Sequence, residues 1–308
     1  MPGATWQSLP FEFKQNVVSQ LDFESRCSLQ MCSKADADVV RESPLRIQFF
    51  QIVLLVDKAT IIISLKFDNS SRIQFKTMNL DEACATLPRV FSNKNMFLES
   101  FGIGEGPKRG TEAVVFSQFP RKLLESEFQI NCEIYSISAM FDNPLSNKNH
   151  NFLFWRLFQR VNPEFLESLL VTSTLSNDEL ERVVETEQFK VLKMIELTRL
   201  AESLRVEKMF GANQIRCKID KLTTDDTWSL VQNFLHKPYG AFFDVHTCYK
   251  TDLTGWLKKF GDQREPRKAE DDPEVLHSQT FDMKHGRNLV LIVDFYKYLV
   301  KGIVLLKT

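Results

Sequence analysis

Apolar positions change period along the chain. Near the amino terminus they recur at helical spacing: Phe13, Val17 and Leu21 fall at i, i+4 and i+8, while Glu12, Lys14 and Gln15 lie off that stripe. The pattern predicts a first helix opening at Trp6-Gln7-Ser8-Leu9-Pro10, with Pro10 at an early position where a missing N–H costs little. Asp22 is placed to cap a second helix carrying Cys27, Leu29 and Met31. Ser33, with Asp36 three residues on, has the form of a capping box with Asp in the Glu position; it opens a third helix through Val39 and Val40, which Pro44 halts. Three helices in about 40 residues bury little of their own surface and make a marginal unit. Two readings of that unit stay open: a cap on the structure that follows, or a docking module whose apolar stripe completes its core on a second protein.

From Arg46 to Thr77 the period shortens to two. Ile47 to Val56, Thr60 to Phe67 and Ile73 to Phe75 read as strands separated by turn candidates at Asp57-Lys58 and Asp68-Asn69-Ser70-Ser71, which is a β meander. Beyond Leu80 the two periods alternate. Helices are expected at 81–91, 151–160, 177–184, 224–235 and 252–260, and strands at 97–103, 128–137, 166–171, 191–197, 215–219 and 241–245. Closing strands follow at 275–281 and 289–306, around His285-Gly286-Arg287-Asn288. The strand centres near Ser168, Lys193, Cys217 and Asp244 are about 25 residues apart, a period that suits an irregular leucine-rich-like array of one strand and one helix per turn. An ordinary α/β sandwich with coincident element lengths is the alternative. The fold class expected is α/β (α+β overall), in three parts: helices over 5–45, the meander and a connecting helix over 46–109, and the strand–helix array over 110–308.

The helical segment resembles a known module. Trp6, Leu9-Pro10, Glu12, Lys14, Val17-Val18, Leu21-Asp22, Arg26, Leu29 and Cys32-Ser33-Lys34 look like an F-box, in the version opening W-x-x-L-P-x-E that occurs in large nematode F-box families. The resemblance implies binding to the small Skp linker protein of cullin–RING ubiquitin ligases, with Leu9, Pro10, Val17, Val18 and Leu21 carrying the apolar contact. Such helix-face interactions rest on a few desolvated aliphatic anchors. Further on, Glu187-Gln188-Phe189-Lys190, Leu192-Lys193-Met194-Ile195 and Leu222-Thr223-Thr224-Asp225-Asp226 with Val231 and Phe234 resemble the FTH domain of nematode F-box A proteins, although that family usually has Trp where Phe189 stands. This second resemblance implies a carboxy-terminal target-binding region. Together they imply a non-catalytic substrate-recognition adaptor; a protein-binding scaffold with a helical cap is the competing expectation.

Composition narrows the alternatives. Of 308 residues, 43% are hydrophobic and 26% charged, which excludes a wholly disordered chain. Lys and Arg total 39 against 40 Asp and Glu, so no charge excess favours a nucleic acid or an anionic membrane as partner. The 26 Phe against 5 Tyr and 4 Trp add apolar bulk without a polar handle and argue for a large core. No stretch resembles a secretory leader or a transmembrane helix, and six dispersed cysteines fit free thiols in a reducing, cytoplasmic or nuclear setting. Candidate chemistry is sparse. His246 and Cys248 fall two short of a zinc set. Cys27 and Cys32 read as small buried thiols. Gly102-Ile103-Gly104-Glu105-Gly106 lacks the final spacing of a dinucleotide loop and reads as a flexible turn, and the mixed-charge run 258–274 reads as a solvated loop. No cofactor, metal or catalytic residue is expected.

Overall fold

The computed structural model describes residues 5–21, 23–55, 60–67, 73–91, 93–105, 123–139, 156–172, 177–201, 205–251, 275–294 and 298–307. The chain divides into two compact units, Met1–Leu166 and Glu167–Thr308, and both mix helix with sheet.

In the first unit a 3-10 turn, Trp6–Ser8, precedes α1 (Phe11–Ser19), α2 (Phe23–Gln30) and α3 (Lys34–Glu42). β1 (Leu45–Leu55), β2 (Thr60–Phe67) and β3 (Gln74–Asn79) follow, then α4 (Leu80–Phe91), β4 (Met96–Glu105) and β5 (Cys132–Ala139). β1, β2 and β3 pair antiparallel in sequence order, as a meander does. β1 also pairs parallel with β4, and β4 parallel with β5, giving the order β5-β4-β1-β2-β3. β1 is thus a central strand, paired along both edges, and it buries Ile47, Phe50 and Ile52.

α4 covers part of one face of this sheet. Ala83, Leu87 and Phe91, spaced four apart, are all buried. Phe91 meets Phe50, Phe101 and Phe128 at ring-centroid distances of 5.3, 5.6 and 5.5 Å. The cluster continues from Phe101 to Tyr135 and from Tyr135 to Phe158. Offset and edge-on rings at this spacing add to the area they bury, so the phenylalanines do serve the core. The glycine segment requires a correction. Gly102 and Gly104 are inside β4, not in a turn, and an added Cβ would lie 2.9 Å from Ser136 Oγ and 3.0 Å from Ser138 Oγ respectively. The missing side chains let neighbouring strands bring their own side chains close.

The second unit contains β6 (Ser168–Val171), α5 (Asn177–Val184), α6 (Glu187–Lys190) and β7 (Met194–Ala201). After a 3-10 turn at Val206–Met209 come β8 (Gln214–Ile219), α7 (Thr224–Phe234) and β9 (Phe242–Thr247), then β10 (Val275–Met283), β11 (Arg287–Asp294) and β12 (Leu299–Leu306). β6, β7, β8 and β9 are parallel and adjacent in chain order. β12 joins β9 antiparallel, with β11 and then β10 beyond it. The β10–β11 turn places His285 and Gly286 at positive φ, 61° and 66°.

The local signals for α7 act as the sequence suggests. Thr223 Oγ1 accepts from the Asp226 N–H and the Asp226 carboxylate accepts from the Thr223 N–H, a capping box built with Asp. Leu230, Val231 and Phe234 face inward, and Phe234 meets Phe243 edge-on at 5.0 Å. β8 alternates buried Ile215, Cys217 and Ile219 with exposed Arg216 and Lys218. The last expected helix, 252–260, the charged run 258–274 and residues 151–155 of the helix expected at 151–160 lie outside the described residues.

Candidate protein-docking site

Among the described residues, polar groups make the main ties between helices α1 to α3. Ser33 caps α3, its Oγ accepting from the Asp36 N–H at 3.1 Å and donating to Asp36 Oδ2 at 2.6 Å. The other carboxylate oxygen accepts from the indole N–H of Trp6 at 2.7 Å. These two side-chain bonds, Ser33 first and Trp6 second, hold the Asp36 carboxyl below its usual range, against the opposing effect of burial. The Lys14 ammonium lies 5.8 Å from the Trp6 ring and donates to the Gln7 carbonyl, which ties the 3-10 turn to α1.

Arg26 forms the second tether. It is nearly fully buried, and its guanidinium donates to the carbonyls of Leu21 at 3.2 Å, Pro44 at 2.8 Å and Ser19 at 3.1 Å. The acceptors belong to the end of α1 and the exit from α3, so one side chain ties α2 to the α1–α2 turn and to the segment entering β1. Burial lowers its pKa below the ordinary arginine value. At the end of α3, Asn95 donates to the carbonyls of Arg41 and Glu42 and Gln15 also donates to Glu42, supplying partners that a helix end lacks.

With those tethers in place, the module's described apolar core reduces to Val18, Ala37 and Val39. Val18 is fully buried, so it supports α1 from beneath and is not on the surface. Of the other residues singled out from the sequence, Pro10 is exposed and Leu9, Val17 and Leu21 are half-buried. Phe13, on the same stripe as Val17 and Leu21, is 52% exposed, and Phe11 is 43% exposed. Met31, beyond the end of α2, is 82% exposed. The stripe at 13, 17 and 21 therefore remains partly open, most of all at Phe13. Cys32 corrects the buried-thiol expectation: it is exposed, its thiol donating to the Ser28 carbonyl at 3.3 Å. The side chain of Cys27 and the cap at Asp22 lie outside the described residues.

Elsewhere the chemistry is quiet. Cys132 and Cys217 are free and buried, and desolvation raises both thiols, Cys217 to about 12, so they stay protonated and poorly nucleophilic near neutral pH. His246 and Cys248 are both exposed, with His246 Nε2 3.2 Å from Asp244. Among the described residues there is no group of three or more His, Cys, Asp or Glu placed to hold a metal, and no helix long and apolar enough to cross a membrane.

A small helical module with a partly open apolar stripe precedes a unit of parallel strands and helices. The F-box domain family model matches residues 6–48 and the FTH domain family model matches residues 147–261. No curated protein matches the chain.

Proposed function

We propose that this chain is the substrate-recognition subunit of a Skp–cullin–F-box ubiquitin ligase. The observation that carries the proposal is the partly open stripe of Phe13, Val17 and Leu21, flanked by Leu9 and Pro10, within the segment that matches an F-box. F-box proteins are in general non-catalytic adaptors that bind the Skp linker and through it a cullin–RING ligase. In this chain Leu9, Pro10, Val17 and Leu21 make the contact, Phe13 widens it, and Val18 positions them from within.

The second unit holds the target. We read β6 to β9 as a leucine-rich-like array because four parallel strands follow one another in space as in sequence, each connection carrying a helix or a 3-10 turn. Its polar strand face carries Glu196, Arg216, Asp244 and Lys301 in one cross-strand row. Arg216 is 3.2 Å from Glu196 and 3.8 Å from Asp244. Alternating signs in register favour a partner segment with complementary alternation over a uniformly charged one. The adaptor performs no bond chemistry; it raises the effective concentration of target lysines near the conjugating enzyme.

Co-purification tests the assignment. Full-length protein is expected to retain the Skp linker, and Leu9→Asp with Val17→Asp to lose it. A wild-type chain that fails to retain the linker, under conditions where other F-box proteins succeed, replaces the ligase reading with a protein-binding scaffold.

A further inference from the structure

The first unit contains a cavity of about 750 Å³ that the docking role does not use. Its floor is the part of the sheet that α4 leaves uncovered: Ile47, Ile63, Leu65 and Phe67. One wall is α4, through Leu87 and Val90, and the other comes from the helical module, through Val40. The volume falls within the ~300–1,000 Å³ usual for small-molecule sites, and an apolar floor with a few polar groups is the usual lining. Beside uncharged Gln30, Gln74, Thr86 and Asn93, the charged groups here are of one sign. Arg26, Arg41, Lys76 and Arg89 line the cavity, and none of its described lining residues is an Asp or Glu.

We propose that this cavity binds a long-chain carboxylate, its alkyl chain on the Ile63–Leu65–Phe67 floor and its head group beside Arg41 and Lys76. Both cations already have partners, Arg41 with Asp38 at 3.2 Å and Lys76 with Glu82 at 3.4 Å, and all four side chains are substantially exposed. Pairs so exposed contribute little, so a ligand carboxylate replaces them at small cost. Arg26 keeps its guanidinium on backbone carbonyls and offers its stem to the chain. The site takes walls from the docking module and from α4, so its occupant braces one against the other. The inference is independent of the ligase reading.

The test uses the full-length protein and cis-parinaric acid, displaced by palmitate. Saturable one-to-one binding is expected, with affinity falling about fifteenfold when two methylenes are removed from the competitor. Hexadecanol, which has the chain without the charge, is expected to compete about tenfold more weakly. Arg41→Glu with Lys76→Glu abolishes the preference for palmitate over hexadecanol and leaves hexadecanol competition unchanged. Leu65→Trp fills the cavity and removes both; the charge-reversal pair, at exposed positions, keeps the test decisive if the tryptophan variant does not fold. Linear, unsaturable uptake overturns the proposal, as does a palmitate preference that survives charge reversal. Sedimentation with phosphatidylglycerol vesicles, without one-to-one palmitate binding, also overturns it, in favour of surface adsorption to lipid.

Discussion

The helical module and the carboxy-terminal unit reach a folded state by opposite means. In the module, two polar tethers, Asp36 with its Trp6 and Ser33 donors and Arg26 with its three carbonyls, hold helices whose described apolar core is only Val18, Ala37 and Val39. In the second unit the work falls to large side chains sealed from water, among them Phe234, Phe243, Leu289, Leu291 and Val304. The difference bears on function. A short helix that relied on its best apolar stripe for cohesion would have none left to offer a partner. By tying its backbone with hydrogen bonds, the module keeps Phe13 and Val17 off its own core.

Removing one large side chain from the second unit gives the largest expected effect on stability. Phe243 is fully buried, edge-on to Phe234, and its ring crosses β12 where Gly302 has no side chain; a Cβ there would lie 2.2 Å from Phe243 Cε1. Phe243→Ala is expected to cost about 3–5 kcal/mol, and Gly302→Ala alone about 1–3 kcal/mol by overpacking. In the Phe243→Ala background the glycine substitution should cost far less, because the space it needs has been vacated. Additive losses in denaturant titrations would show that ring and glycine do not share one packing site. By contrast, Leu9→Asp with Val17→Asp, at half-buried positions, should remove Skp-linker retention while costing less stability than a change at a fully buried side chain such as Phe243.

A smaller effect is expected at the Arg26 tether. Arg26→Leu keeps much of the aliphatic bulk but leaves the carbonyls of Ser19, Leu21 and Pro44 without their donor. Unmade bonds of this kind cost about 1–3 kcal/mol. Chemical denaturation should show the loss in the module, together with weaker linker binding as the end of α1 loosens. Unchanged stability would mean that apolar contacts, not the guanidinium, hold α2 to the end of α1 and the exit from α3, and the contrast between the regions would weaken accordingly.

Local features could be read from the sequence and distant ones could not. The Thr223–Asp226 and Ser33–Asp36 caps depend on residues three apart, and the β1–β2–β3 meander on neighbours in the chain, so spacing alone places them. The parallel pairing of β1 with β4 and the position of β12 between β9 and β11 depend on chain closures that no window of periodicity contains. The same limit explains the glycines of β4, whose turn-like composition reflects strands approaching from elsewhere. It also explains Val17 and Val18. Both are apolar and adjacent, and helical periodicity assigns the stripe through 13, 17 and 21 without saying which side the other helices cover. Trp6 and Asp36 are 30 residues apart, and no short motif announces their bond.

That bond gives the smallest of these effects and the one with a definite pH sign. Asp36 is held below its ordinary range by hydrogen bonds from Ser33 and then Trp6, so its charged form is favoured in the folded module over the unfolded chain. A depressed carboxyl contributes in full above its unfolded value, about 3.9, and the contribution is lost as pH falls through the folded value. Thermal unfolding of the module should therefore shift to lower temperature as the solution is acidified below about pH 4. Trp6→Phe retains the ring but deletes the N–H, bringing Asp36 closer to its ordinary pKa and flattening that dependence. Ser33→Ala, which removes the stronger of the two bonds and the cap of α3 with it, should flatten it further. Equal acid slopes in wild type and Trp6→Phe would show that the indole bond contributes nothing to the carboxylate, leaving Ser33 alone to hold the turn between α2 and α3.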